Sequence, residues 1–104
     1  MLMGVCFMKH YSIEKLRRRI DRIDRRLVRV LLLRYAAVRE MGTVKKRKGL
    51  KVVDSEREKS ILKNIAERVK NPSACDFITA IYRTIFRASR TAEEHKPFNG
   101  SGVL

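Results

Sequence analysis

The sequence predicts an all-α protein with three helices per chain, one very long and two shorter, assembled as a homodimer. Three observations predict it. Apolar positions recur at Leu16, Ile20, Ile23, Leu27, Val30, Ala37, Met41 and Val44, with Arg34 as the one exception in the series. That alternating spacing of four and three belongs to a helix packed lengthwise on other helices. Gly and Pro are scarce (5 and 2 of 104 residues), while 35% of residues are charged and 44% hydrophobic. This balance suits one helical domain with a modest core better than a sandwich or a disordered chain. No segment alternates apolar and polar residues long enough to make a strand, and there are no internal repeats.

The first helix is predicted from about Ser12 to about Lys46, with Ser12 as N-cap and Gly42 as its only glycine. The basic run Lys46-Arg47-Lys48 followed by Gly49 ends it, since cations and glycine both suit a helix C-terminus. A second helix opens at Asp54 or Ser55, where Ser55-x-x-Glu58 matches a capping box. Ile61, Leu62, Ile65 and Val69 continue it at helical spacing until Asn71-Pro72-Ser73. The third runs from about Ser73 to about His95, with Phe77, Ile78, Ile81, Ile85 and Phe86 on one side, and Pro97 with the Gly/Ser tail ends it. At 1.5 Å per residue the first helix reaches roughly 50 Å, against a radius of gyration of about 13 Å for a 100-residue domain. Two shorter helices of the same chain cannot cover that seam; a second copy can.

In domain terms, residues 1–11 read as a leader, 12–96 as the helical domain and 97–104 as a flexible tail. The leader's MLMGVCFM is too short to span a bilayer and lacks signal-peptide features. It is either a disordered leader or a stretch upstream of a natural start at Met8. Cys6 and Cys75, like His10 and His95, stand far apart, with neither a metal spacing nor a disulfide framework. The expectation is reduced thiols in a cytoplasmic protein, with no metal.

The formal charge is +14, and residues 14–48 carry 14 Lys/Arg against 4 Asp/Glu. Such a helix invites a nucleic-acid reading, but Tyr35 is its only aromatic and no nucleic-acid-reading motif is present. Arg18, Arg22, Arg25, Arg26 and Arg29 lie off the seam and read as a solvated face, with acidic neighbours such as Asp21 beside Arg17 and Arg25. Arg34 differs because it lies on the seam. An unpartnered buried guanidinium costs several kcal/mol, which leaves two readings: an ion pair to a carboxylate on another helix, or an anionic ligand held between helices.

Four groups of residues then fall in order. They are Leu16-Arg17-x-x-Ile20-Asp21-x-Ile23-Asp24-x-x-Leu27-Val28-x-x-Leu31-x-x-Arg34; Gly42 with Lys45 three residues on; Asp54-x-x-Arg57-Glu58; and Ser89 with Glu93 four residues on. In this order and on these elements, the stretch from Leu16 to Glu94 resembles the all-helical class of chorismate mutase. The resemblance implies an intertwined helical dimer with two active sites. It implies a monofunctional isomerase that converts chorismate to prephenate in phenylalanine and tyrosine biosynthesis. That reaction is a unimolecular Claisen rearrangement and needs no nucleophile, metal or cofactor. Catalysis then means holding the substrate's side chain folded over its ring and stabilising charge that builds on the ether oxygen.

Carried residue by residue, the resemblance implies that Arg34 and the partner chain's copy of Arg17 bind carboxylates, which guanidinium forks suit. It gives Lys45 contacts with the side-chain carboxylate and ether oxygen. Glu93 falls where the family holds Gln or Glu, and donates a hydrogen bond to that same oxygen. Glu58 and the backbone near Asp54 meet the ring hydroxyl, while Arg57 and Ser89 support the site. Taken alone, most of these have plainer readings. Arg17 and Lys45 would be solvated, Asp54, Ser55 and Glu58 would cap a helix, and Ser89 would bond back to its own turn. Two features depart from the family's pattern: the strongly basic 46–51 loop, and Arg90 where an apolar neighbour of the pocket is expected. The rival on the same fold is an isochorismate pyruvate-lyase, against which Asp54-x-x-Arg57-Glu58 argues. The rival of another class is a basic nucleic-acid-binding helical dimer, which leaves Arg34 unexplained.

Overall fold

A computed structural model describes residues 12–96. It contains three helices, α1 (Ile13–Lys48), α2 (Ser55–Arg68) and α3 (Pro72–Glu93), and no strand among the described residues. No helix among them is long and apolar enough to cross a membrane. The leader before residue 12 and the tail after residue 96 lie outside the described residues.

Each helix end has a side-chain or backbone cause. Ser12 caps α1, its Oγ accepting from Lys15 N at 3.2 Å. At the other end Gly49 adopts φ 68°, where a side chain would be strained. This lets Leu50 N reach Lys45 O at 2.8 Å and Gly49 N reach Lys46 O at 3.2 Å, so that two orphan carbonyls are satisfied. Lys45, Lys46, Arg47 and Lys48 fill that last turn, which favours their charges.

The cap of α2 corrects the capping-box expectation. Asp54, not Ser55, is the N-cap, and its Oδ1 accepts from Arg57 N at 3.0 Å. A carboxylate serves this place at least as well as a hydroxyl, because it also meets the positive helix end. Ser55 becomes the first helical residue, and Glu58 is released from capping. Asn71 caps α3 through Ala74 N at 3.0 Å, with Pro72 in the first turn. Proline is preorganised there and lacks the N–H that would go unpaired, so α3 begins one residue before the expected Ser73. It ends at Glu93 rather than His95 because His95 turns left-handed, with φ 58°.

The chain divides into two compact units, one through Arg34 and the other from Tyr35. In the first, the described chain is helix with its apolar seam uncovered: Ile20, Ile23, Leu27 and Val30 are each more than half exposed. In the second, α2 packs on α3. Phe86 and Ala92 are the buried apolar side chains among the described residues. Tyr82 meets Phe86 edge-on, centroids 5.8 Å apart, a favourable aromatic geometry. Ile61, Leu62 and Ile65 of α2 and Ile78 and Ile85 of α3 are half-buried. Phe77 and Ile81, expected on the same covered side, are exposed at 68% and 45%. They lie one turn apart, so the stripe on α3 is covered along one flank only.

Candidate active site

The C-terminal end of α3 gathers side chains from both other helices. The approach is set by Gly42. A Cβ at that position would fall 2.0 Å from Glu93 O and 2.6 Å from Glu93 C and Cα. Only hydrogen fits, so the α1 backbone lies directly against the last turn of α3. Lys45 lies three residues on and hence on the same face of α1. Its Nζ stands 2.7 Å from Glu93 Oε1, with the two side chains only 13% and 10% exposed. The ammonium also donates to Val52 O at 2.8 Å. This lysine is therefore held between a carboxylate and a loop carbonyl, not solvated at a helix end. Glu93 Oε1 is buried and makes no hydrogen bond of good geometry despite the nearby cation.

One turn earlier, Arg90 grips Glu58 of α2 as a fork. Nε donates to Oε2 at 3.0 Å and Nη2 to Oε1 at 2.5 Å. One residue beyond Glu93 and Glu94, the His95 ring reaches α1. Its Nε2 lies 3.1 Å from Arg39 O and 3.4 Å from Thr43 Oγ1. A carbonyl can only accept, so the contact with Arg39 requires Nε2 to carry the proton. Lys96 N bonds Thr91 O at 3.1 Å and His95 N bonds Ala92 O at 3.0 Å, closing the helix end. A cavity of about 320 Å³ opens beside these groups, lined by Gly42, Lys46, Leu50, Val52, Glu93, Glu94 and His95.

Of the residues singled out from sequence, Lys45 and Glu93 are thus brought into contact, and Glu58 is bound to Arg90. Ser89 donates to Ile85 O at 2.6 Å, the bond back to its own turn that a helical serine commonly makes. Asp54 and Arg57 are exposed on the cap of α2. Arg17 and Arg34 belong to the first unit, Arg17 exposed and Arg34 half-buried. Sequence reasoning missed the Arg90–Glu58 fork and the His95 contacts. The first joins residues 32 apart, with no local signal. The second depends on a left-handed backbone where glycine is the usual occupant. Among the described residues, no three His, Cys, Asp or Glu side chains converge as a metal site.

Fold and site define a class: a small all-helical protein whose cationic and acidic side chains meet at the end of its last helix. The chain belongs to the chorismate mutase type II family, whose profile matches residues 16–94. It is similar to the T-protein of Enterobacter agglomerans, 39% identical over 87 residues that make up 80% of this chain and 22% of that protein. The chain therefore spans less than a quarter of the length of that relative.

Proposed function

We propose that this chain catalyses the rearrangement of chorismate to prephenate, as a cytoplasmic, intertwined homodimer with two shared active sites. One C–O bond of the enol ether breaks as a C–C bond forms to the ring, within one molecule. The protein's task is to hold the folded conformer and to stabilise the negative charge that grows on the departing oxygen. Arg34 and the second chain's Arg17 take the carboxylates, Glu58 and the backbone near Asp54 take the ring hydroxyl, and Arg57 and Ser89 support them.

The observation that carries this reading is the Lys45–Glu93 contact, 2.7 Å long with both side chains largely buried. Without ligand, each side chain supplies the other's countercharge. Chorismate's side-chain carboxylate can replace Glu93 as counterion to Lys45. Glu93 is then released from that pairing to donate a hydrogen bond to the ether oxygen, while Lys45 faces the same oxygen as a cation.

The dimer has its own support. The α1 seam is exposed at Leu27 (51%) and Val30 (59%), and a helix with an uncovered apolar face gains most of its stability from whatever packs on it. A second copy of the same seam supplies that cover and brings its own Arg17. The test is Lys45→Met, which keeps the apolar stem and removes the charge. Turnover of chorismate should fall by roughly 10²–10³-fold, the loss typical of one transition-state donor, with helical content retained. Turnover within about threefold of the original would remove Lys45 from the site.

A further inference from the structure

We infer that Arg90 is a positioning residue of the substrate site: it neutralises Glu58 and fixes the plane of its carboxylate, so that a dianion can bind beside it. The inference rests on the proposed mutase reaction and on the role of Glu58 toward the ring hydroxyl. Its own observation is the two-point fork, Nε to Oε2 at 3.0 Å and Nη2 to Oε1 at 2.5 Å. A single hydrogen bond would leave the carboxylate free to rotate; two parallel ones do not.

An ionised carboxylate offers about four acceptor sites. Arg90 occupies one on each oxygen, which leaves both oxygens able to accept from a hydroxyl. Glu58 thus remains competent to bind a donor while its orientation is set. The charge matters as much. Chorismate carries two carboxylates, so a bare Glu58 would repel it in ground state and transition state alike. The guanidinium makes the pair neutral. Its side chain is 35% exposed and that of Glu58 22%, so water and salt screen the pair in part.

An apolar residue at this position could do neither job. Arg90 and Glu58 come from the two helices that pack on each other, α3 and α2. The fork therefore also ties the orientation of the hydroxyl-binding group to the packing of α3, which carries Glu93 one turn further along.

The test is steady-state kinetics on chorismate for the original chain, Arg90→Met, Arg90→Lys, Glu58→Gln and the Glu58→Gln/Arg90→Met double variant, with Tm recorded for each. A repulsion felt equally before and during reaction raises KM more than it lowers kcat. Arg90→Met should therefore raise KM by roughly tenfold, kcat falling less. That KM penalty should shrink at high salt. Arg90→Lys, which keeps the charge and loses the fork, should recover part of the KM. In the Glu58→Gln background Arg90→Met should change KM by less than about twofold, since no carboxylate is left to neutralise. The inference is overturned if Arg90→Met lowers Tm and leaves both constants unchanged, which is a purely structural pair, or if its KM effect is the same with and without Glu58. An original chain that leaves chorismate unconverted overturns the mutase reading and this inference together. That result shows before any substitution is made, so the two failures are told apart.

Discussion

Replacing Gly42 with alanine should separate two effects that usually run together, helix propensity and helix packing. In an isolated helix the substitution stabilises by about 1 kcal/mol. Here the new methyl carbon would lie 2.0 Å from Glu93 O, whereas even a close C–H···O contact needs about 3.3 Å. The helices must therefore part by about 1 Å, and the atoms in the way are backbone, which cannot swing aside as a side chain could. Overpacking of this kind costs about 1–3 kcal/mol. Set against the propensity gain, a net loss of up to about 2 kcal/mol remains, or up to roughly 16 °C in Tm for a domain of this size. Activity should suffer more. Lys45 lies on the same face as Gly42, and its 2.7 Å approach to Glu93 depends on the spacing that the methyl disrupts. A displacement of about 1 Å can cost about 10²-fold in rate. The assay is kcat for chorismate beside thermal unfolding followed by circular dichroism. Turnover within about twofold of the original, with Tm unchanged or raised, would refute the close-approach argument.

Four further outcomes follow from the same geometry. Arg34→Leu should remove most activity yet leave a folded protein with an equal or higher Tm, because an apolar residue on an apolar seam is often neutral or stabilising in place of a charge; a variant that fails to fold would favour a structural ion pair. Inactive Arg17→Ala and Arg34→Ala chains, mixed and allowed to exchange, should regain activity as heterodimers with one intact site, and no recovery after verified exchange would place Arg17 within its own chain's site. Thermal unfolding should shift upward with protein concentration, as it does where fold and assembly are linked, and a stable, active monomer by sedimentation would contradict this. Glu93→Gln, which keeps a hydrogen-bond donor at that place, should retain substantial turnover while Glu93→Leu, which offers none, should lose most of it, and equal turnover of the two variants would remove Glu93 from the ether-oxygen role.

Much of the fold was legible because local chemistry decides where helices begin and end. Ser12 and the Asp54–Ser55 pair mark two helix starts, Asn71-Pro72-Ser73 marks the break before the third helix, and Gly49 marks one end. The errors are just as local. Ser55-x-x-Glu58 has the form of a capping box, but Asp54 offers a carboxylate one residue earlier, and Glu58 is used across helices instead. His95 adopts a conformation that favours glycine, so α3 stops two residues short of the end expected from Pro97. The site was legible in part. Lys45 and Glu93 lie 48 positions apart, and no spacing rule joins them; they were paired through resemblance, and the packing at Gly42 supplies the physical reason. Arg90 read as an anomaly because its partner lies on another helix, 32 residues away. Gly42 itself looks like a weak point in a helix until the α3 backbone is placed against it.

The most direct test follows the fate of chorismate incubated with the purified chain, products identified by NMR. Prephenate should appear stoichiometrically as chorismate disappears, with no added metal or cofactor, and the conversion should be lost with Lys45→Met. Chorismate left intact, with pyruvate released when isochorismate is supplied instead, would contradict the account.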